Sequence, residues 1–514
     1  MGEWLYKFRN PILLTVIFLG YLLHASNGIW VDDFWDHSAV VSELIRNPLN
    51  PKHPQLGNDL PHVFFTPYSL FVAMVAKLCH LNSVEILSIF GLLNASILFY
   101  GLNKYIESLA VPYKTATYFY SVVLILFFWG SDPWNYSGFF HSNILNFSLP
   151  YPSAFATGMV FLAFAVNAKL KERREFKYVL LLSVMSAVIL LTHAVAVIFL
   201  CAGLVSGALG TKSEERWHLV ALSVVMVLAL ICALVWPYYP FLEMLRGASD
   251  VYHPSNKGVY ENIVKTIWPL FLALPVIAKD FFKKQNQQLS VTIILLMMVY
   301  LIAWLLQKYS YGRVISYIAM MIQIMLAIKI ARLDMHVFKN TTVKKIVPLI
   351  ILIACVVAGY RQIQSVATRT LTAINSLYLG RPVLNQFTFA HHTFLEKEIE
   401  QGAHVLANVK ASWIIPSFGA KVITLSLPHA FVKDHEKRIF DVSYFFKEDA
   451  SKEERLDFLK KYQPRYVFFN KAEDKNWLEI TKELISSEIG QLVYEDEIVT
   501  LYRIDISKIG STKK

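Results

Sequence analysis

The stretch WVDDFWDHS places Asp32, Asp33, Asp36 and His37 directly after a hydrophobic run that ends at Trp30. Residues that only anchor a helix at a membrane boundary are Trp, Tyr, Lys and Arg. An acidic cluster at that position therefore points to chemistry at the membrane surface, and carboxylates offer two kinds: proton transfer and the binding of a hard cation. Other residues able to join such chemistry are His53, His62, His141, His193, Arg246, Lys308, Tyr309, Tyr311 and Arg313. Each alone has an ordinary explanation. His193 can satisfy the backbone of a broken helix, Arg313 can anchor a helix start, and Asp36 and His37 can face water. Their meaning depends on whether the fold puts them on one side of a membrane.

The elements that must position them are transmembrane helices. The 514-residue chain is 55% hydrophobic, has a mean hydropathy of +0.43 and repeats apolar runs of about 20 residues, too many for one soluble core. A formal charge of +11 would suggest nucleic acid in a soluble protein. Here Lys and Arg gather in short loops, where they set orientation, and no nucleic-acid partner is expected. Cys79, Cys201, Cys232 and Cys355 all lie inside apolar runs, which excludes a disulfide framework, zinc spacing or CxxC chemistry. The first run, about 20 residues long, exceeds a usual signal-peptide core and reads as a retained helix.

Taken in order, the pattern predicts spans near 11–30, 84–103, 115–130, 151–168, 178–192, 195–210, 219–236, 266–279, 290–306, 314–330 and 346–360. That is a polytopic α-helical membrane protein of about eleven spans. Residues 31–62 fall outside, with DHSAVVSELIRN as a helix lying on the membrane surface and PLNPKHPQLGNDLPH turning on its prolines. The segment 63–80 must be a membrane-embedded helix that does not span, or every later loop changes side. The inner segments then carry more than twice the Lys and Arg of the outer loops, as orientation with a cytoplasmic N-terminus requires. On this map the acidic cluster, His53, His62, His141, His193, Tyr309, Tyr311 and Arg313 share the outer face, and clustering of costly polar residues from separate helices marks a site.

Beyond residue 361 hydropathy falls. HVLANV, KVITLS and YVFFN read as buried strands, SKEERLDFLKKY and NWLEITKELISS as amphipathic helices, and QLVYEDE with IVTLYRID as a hairpin. The expected domains are a transmembrane region 1–360, a linker 361–390 carrying a surface helix, and a small extracytoplasmic α/β domain 391–514.

An acidic pair directly after the first helix, a surface helix and proline-rich turns behind it, many further spans and an outer C-terminal domain resemble the GT-C superfamily of glycosyltransferases. A histidine at the mid-chain break LTHA and a YGR helix start add to the resemblance. It implies a polyprenyl-phosphate sugar donor drawn from the outer leaflet of membrane lipid. It further implies inverting transfer to a glycan, lipid or protein acceptor on the outer face, in a bacterial inner membrane. Such a displacement needs a base, for which Asp33 and Asp32 are the candidates, with Asp33 weakly preferred. It also needs a phosphate clamp, for which Arg313 serves best because a guanidinium pairs bidentately with phosphate oxygens, with Lys308 and Arg246 as alternates. His193 can donate to the same phosphate, and Tyr311 and His62 complete the substrate-binding set. Asp32, Asp33 and Asp36 suit a divalent ion, Mg2+ or Mn2+, which some members of that superfamily use. The loop 237–265 has the glycines and tyrosines of a lid.

Three other functions share the gross pattern. A transporter or flippase of lipid-linked glycans usually shows paired halves, and the chain has no internal duplication. A polysaccharide polymerase or ligase of the O-antigen type needs neither the acidic pair nor a folded tail. A non-enzymatic assembly subunit would leave the acidic pair dispensable.

Overall fold

The computed structural model describes residues 2–208, 216–247, 250, 254–336, 341–380 and 388–510. The chain divides into two compact units. The first comprises Met1–Ser26, Ser88–Trp236 and Tyr252–Leu379, and the second Asn27–Leu87, Pro237–Val251 and Gly380–Lys514. These units cut across the expected boundaries at 360 and 390, because the residues after the first helix fold with the C-terminal part of the chain.

The first unit is helical. Across the described chain, six helices are long and apolar enough to cross a membrane: Phe8–Ser26, Ser83–Ser108, Pro152–Arg173, Arg216–Leu234, Gln287–Leu305 and Tyr309–Leu333. The eleven expected spans are not all of this kind. Lys114–Phe127, Phe176–Thr192 and Ala194–Ala208 are apolar but shorter. The run 266–279 is two short helices, Ile263–Phe271 and Leu274–Phe282, broken around Pro269 and Pro275 with a non-helical Ile267. The run 346–360 belongs to one helix, Thr341–Leu379, so the surface helix expected in the linker is its continuation. Within Tyr309–Leu333, 89% of the apolar window is buried by protein, against 11% for Phe8–Ser26, which makes the former the central helix of the unit. Gly101 and Gly158 let their two helices meet backbone against backbone, where any side chain would collide.

The second unit is built on a five-stranded mixed sheet. Strands β1 (His404–Leu406), β2 (Lys421–Val422), β3 (Tyr466–Asn470), β4 (Gly490–Glu495) and β5 (Val499–Ile504) lie in the order β2-β1-β3-β5-β4. β1 pairs in parallel with β2 and β3, while β5 runs antiparallel to β3 and β4. The strands expected from the apolar runs are present, as is the final hairpin. The helix Lys452–Tyr462 starts on a capping box formed by Ser451 and Glu454, and with Trp477–Ser486 it covers Val467, Phe469 and Tyr502. Val422 N–H donates to the Gln55 carbonyl at 2.8 Å, so the proline-rich segment flanks edge strand β2.

Two expectations for residues 31–80 meet different outcomes. The helix Asp33–Arg46 does not lie on a surface: Phe34 to Val41, Glu43 and Leu44 are buried, enclosed by the helix Pro67–Cys79 and by residues 411–418. Pro67–Cys79 itself has 13 residues, about 20 Å at 1.5 Å per residue and too short to span. It keeps Phe71, Met74 and Leu78 exposed.

Candidate active site

Asp32 occupies the N-cap of the helix Asp33–Arg46 at φ 52° and ψ −131°, a backbone region that disfavours any residue with a Cβ. Its side chain makes no capping hydrogen bond. The turn is held by its neighbours. Trp30 stacks on Phe34 at 4.4 Å, and Trp35 Nε1 donates to the Trp30 carbonyl at 3.0 Å. Aromatic packing on both sides thus forces the exposed Asp32 into a conformation that costs about 1–3 kcal/mol. Partial desolvation of its carboxyl raises the pKa above the ordinary value. Asp33 follows as the first helical residue and Asp36 one turn later, where negative charge favours a helix N-terminus.

Asp36 turns inward. Its Oδ1 accepts from Gln55 Nε2 at 2.7 Å and lies 3.8 Å from His429 Nε2. Burial first, then the charge of Asp33, pushes its carboxyl up to about 7. His429 Nδ1 in turn lies 2.9 Å from His62 Nε2, and His53 packs edge-on to His62 at a ring distance of 5.0 Å. Burial holds His37 and His429 down to about 3 and His53 and His62 well below their ordinary value, so all four imidazoles are neutral.

His53, His62 and His429 form the group that could hold a metal ion among the described residues, whereas Asp32, Asp33 and Asp36 do not gather into one. The reason is the helix itself, which leaves Asp32 outside while turning Asp36 into the protein. Three imidazoles suit zinc, copper, iron or nickel rather than Mg2+ or Mn2+, which favour oxygen ligands. Their candidate ligand atoms lie within 4.8 Å of one another, whereas two nitrogens on one ion are at most about 4.2 Å apart at bonds near 2.1 Å. In addition, Nδ1 of His53 accepts from Leu56 N–H and Nδ1 of His62 from Phe64 N–H, each at 3.2 Å. Those bonds leave the proton on Nε2 in both rings, so His62 donates to His429, whose own Nε2–H faces Asp36. As arranged, His62 is hydrogen-bonded to His429, whose Nε2 stops 3.8 Å short of Asp36, with His53 packed against both imidazoles.

The remaining expected residues belong to the first unit, except Arg246. Arg313 donates to the Ser137 carbonyl at 2.5 Å and to Ser137 Oγ, with its guanidinium 5.8 Å from the Tyr136 ring centre. Lys308 caps the short 3-10 helix Tyr309–Val314, which contains Tyr311 and Arg313. His193 interrupts two helices, and its Nδ1 accepts from Ala196 N–H at 3.2 Å, capping Ala194–Ala208. Arg246, exposed, ends the short helix Phe241–Leu245 in the second unit. Two residues escaped the sequence reading. His429 carries no local motif and is brought to His62 by tertiary structure alone. Arg369 lies in what reads as a linker, yet it donates to Asn143 at its carbonyl (2.8 Å) and Oδ1 (2.6 Å) and packs over Phe147. The break in hydropathy at 361 hides it.

No protein-family model matches the sequence, and no curated protein matches it. The fold does have relatives among solved structures, and it is GT-C-like. The oligosaccharyltransferase of Archaeoglobus fulgidus in its apo form superposes with a TM-score of 0.58 at 10% identity, over 98% of this chain and 75% of that one. The same enzyme tethered to an acceptor peptide containing the NVT sequon gives 0.56 over the same shares. ArnT from Cupriavidus metallidurans, bound to undecaprenyl phosphate, gives 0.53 at 10% identity over 98% of this chain and 99% of that one. Its six long apolar helices are those of an integral membrane protein.

Proposed function

We propose that the protein transfers a sugar from a polyprenyl-phosphate donor to a glycan, lipid or protein acceptor, with inversion at the anomeric carbon. The observation that carries the reading is Asp32: an exposed carboxylate in strained backbone, directly after the first apolar helix of a GT-C-like fold. Strain of this kind concentrates at functional sites because only the surrounding packing sustains it. The fold neighbours support the donor class, since ArnT was captured with undecaprenyl phosphate and the oligosaccharyltransferase with an acceptor peptide.

In this mechanism Asp32 accepts the proton of the attacking hydroxyl as the lipid phosphate departs, and Asp33 is the alternate base. Asp32 is favoured over Asp33 because it is uncapped and its pKa is raised. Arg313 is the proposed phosphate-binding guanidinium, with Lys308, Tyr311, His193 and Arg246 as further substrate contacts, whereas His62 is buried with both ring nitrogens engaged and is set aside from this group. The charge asymmetry of the loops supports an extracytoplasmic site, and the proposed compartment is a bacterial inner membrane. The test is transfer from a synthetic polyprenyl-phosphate sugar, run beside donor binding, for Asp32→Asn and Asp33→Asn. Turnover should fall by roughly 10² to 10⁴ in the variant lacking the base while donor binding survives. Full activity in both variants would refute the mechanism and favour a carrier of lipid-linked glycans.

A further inference from the structure

The helix that begins at Asp33 carries two inward carboxylates, Asp36 and Glu43, seven residues and two turns apart on one face. Both are buried, at 3% and 1% exposure. A helix merely resting on a surface would not bury carboxylates, because each needs compensating partners. Neighbouring residues supply some of them: Asn47 Nδ2 at 2.9 Å and Lys52 N–H at 3.1 Å donate to Glu43 Oε1, and Gln55 donates to Asp36, while the C-terminal segment of the same unit supplies the buried cation. Lys421 Nζ, itself on a residue 4% exposed, donates to Glu43 Oε2 at 2.7 Å and to the Pro54 carbonyl at 2.8 Å. Arg46 bridges the same carboxylate, at 3.1 Å, to the Gly419 carbonyl at 2.9 Å and Gln401 Oε1 at 3.1 Å. His429 faces Asp36, two turns nearer the helix start. Gly57, at φ 71°, closes over the Lys421 stem, where a Cβ would come within 2.9 Å of Cγ. The segment that begins with edge strand β2 thus engages the helix at both of its inward carboxylates.

We propose that the C-terminal α/β domain is a positioning element for the carboxylate-bearing helix, latched through the Lys421–Glu43 pair, so that this domain sets the rate of the reaction on Asp32 and Asp33. The proposal rests on the glycosyl-transfer reading for its rate consequence and on packing alone for the latch. Lys421 and Glu43 are positioning residues and touch no substrate. Removing the ammonium leaves Glu43 buried with the neutral donors of Asn47 and Lys52 and the more exposed Arg46 as its remaining cation, and the helix and its N-terminal turn loosen. Misplacing a reacting group by about 1 Å costs up to about a hundredfold in rate.

The experiment compares wild type, Lys421→Met, Lys421→Arg and Glu43→Gln/Lys421→Met as full-length proteins in detergent. Amide hydrogen exchange over residues 33–46 reads the latch, and kcat and donor KM are measured separately. In Lys421→Met, exchange over 33–46 should quicken and kcat should fall about tenfold to a hundredfold with donor KM nearly unchanged. The paired variant, which removes both charges, should regain protection and much of the rate, and Lys421→Arg should stay near wild type. Unchanged protection in Lys421→Met overturns the latch, and lost protection with wild-type kcat overturns the positioning role. If Lys421→Met fails to fold, recovery of a folded chain by the added Glu43→Gln supports the latch and failure of the pair overturns it. Should Asp32→Asn and Asp33→Asn both be fully active, the transfer reading falls while the exchange result stands by itself.

Discussion

Asp32→Gly separates strain from chemistry at one position. Asp32 sits at φ 52° and ψ −131°, a region open to glycine and costly for any residue with a Cβ. Relief of that strain returns about 1–3 kcal/mol. The extra freedom of glycine in the unfolded chain takes back about 1 kcal/mol. No capping hydrogen bond is lost, because the side chain makes none. The balance is a variant as stable as wild type or more so, by up to about 2 kcal/mol, whereas a polar residue lost from an ordinary N-cap costs about 1 kcal/mol. Turnover should nonetheless collapse by the factor of roughly 10² to 10⁴ that a general base supplies, about 3–5 kcal/mol of barrier. The assays are thermal unfolding in detergent, with Asp32→Ala as the reference that keeps a Cβ, and sugar transfer from the polyprenyl-phosphate donor. A variant less stable than Asp32→Ala would refute the strain, and one that keeps wild-type turnover would refute Asp32 as the base.

Asp36 should make stability depend on pH in a defined direction. Its carboxyl is raised to about 7, so between about pH 4 and 7 the folded protein holds a proton that the unfolded chain has lost. Stability from this group is therefore full below about pH 4 and is lost as pH rises through 7, by roughly 4 kcal/mol. The difference in unfolding free energy between wild type and Asp36→Asn should shift by that amount across the window, and a flat difference would refute it. Arg313→Lys keeps the charge but loses the planar guanidinium, whose Nη2 engages Ser137, so kcat/KM for donor should fall by about tenfold to a hundredfold, while Arg332→Lys should be silent. Equal effects at both positions would mean that charge alone is being measured. For His53, His62 and His429, the backbone donors on two of the rings favour the hydrogen-bonded arrangement, so zinc should not be retained stoichiometrically after dialysis. One equivalent that disappears in His62→Gln would reverse that assignment.

Much of the architecture is written locally. Runs of about 20 apolar residues identify membrane helices because each must satisfy its own backbone in lipid, and this holds without reference to any neighbour. The apolar run YVFFN, the β-rich IVTLYRID and the Ser451–Glu454 cap ahead of Lys452–Tyr462 are likewise local signals, and they give the C-terminal sheet and its helices. The acidic pair after the first helix is legible for the same reason, since a charge at that boundary is costly wherever the rest of the chain goes.

Tertiary structure decides what local pattern leaves open. The helix Asp33–Arg46 has an amphipathic period that fits a membrane surface as well as a protein interior, and partners brought in by the fold, Lys421 for Glu43 and Gln55 for Asp36, make the two carboxyls tolerable inside. Lys421 lies 378 residues from Glu43 along the chain, beyond the reach of any spacing rule, and His429 lies farther still from Asp36. Proline breaks near 269 and 275 turn one apolar run into two short helices, because helix length depends on backbone bonds that hydropathy does not count. The strained φ of Asp32 belongs to this second class as well: its residue type permits many conformations, and the packing of Trp30, Phe34 and Trp35 selects the costly one.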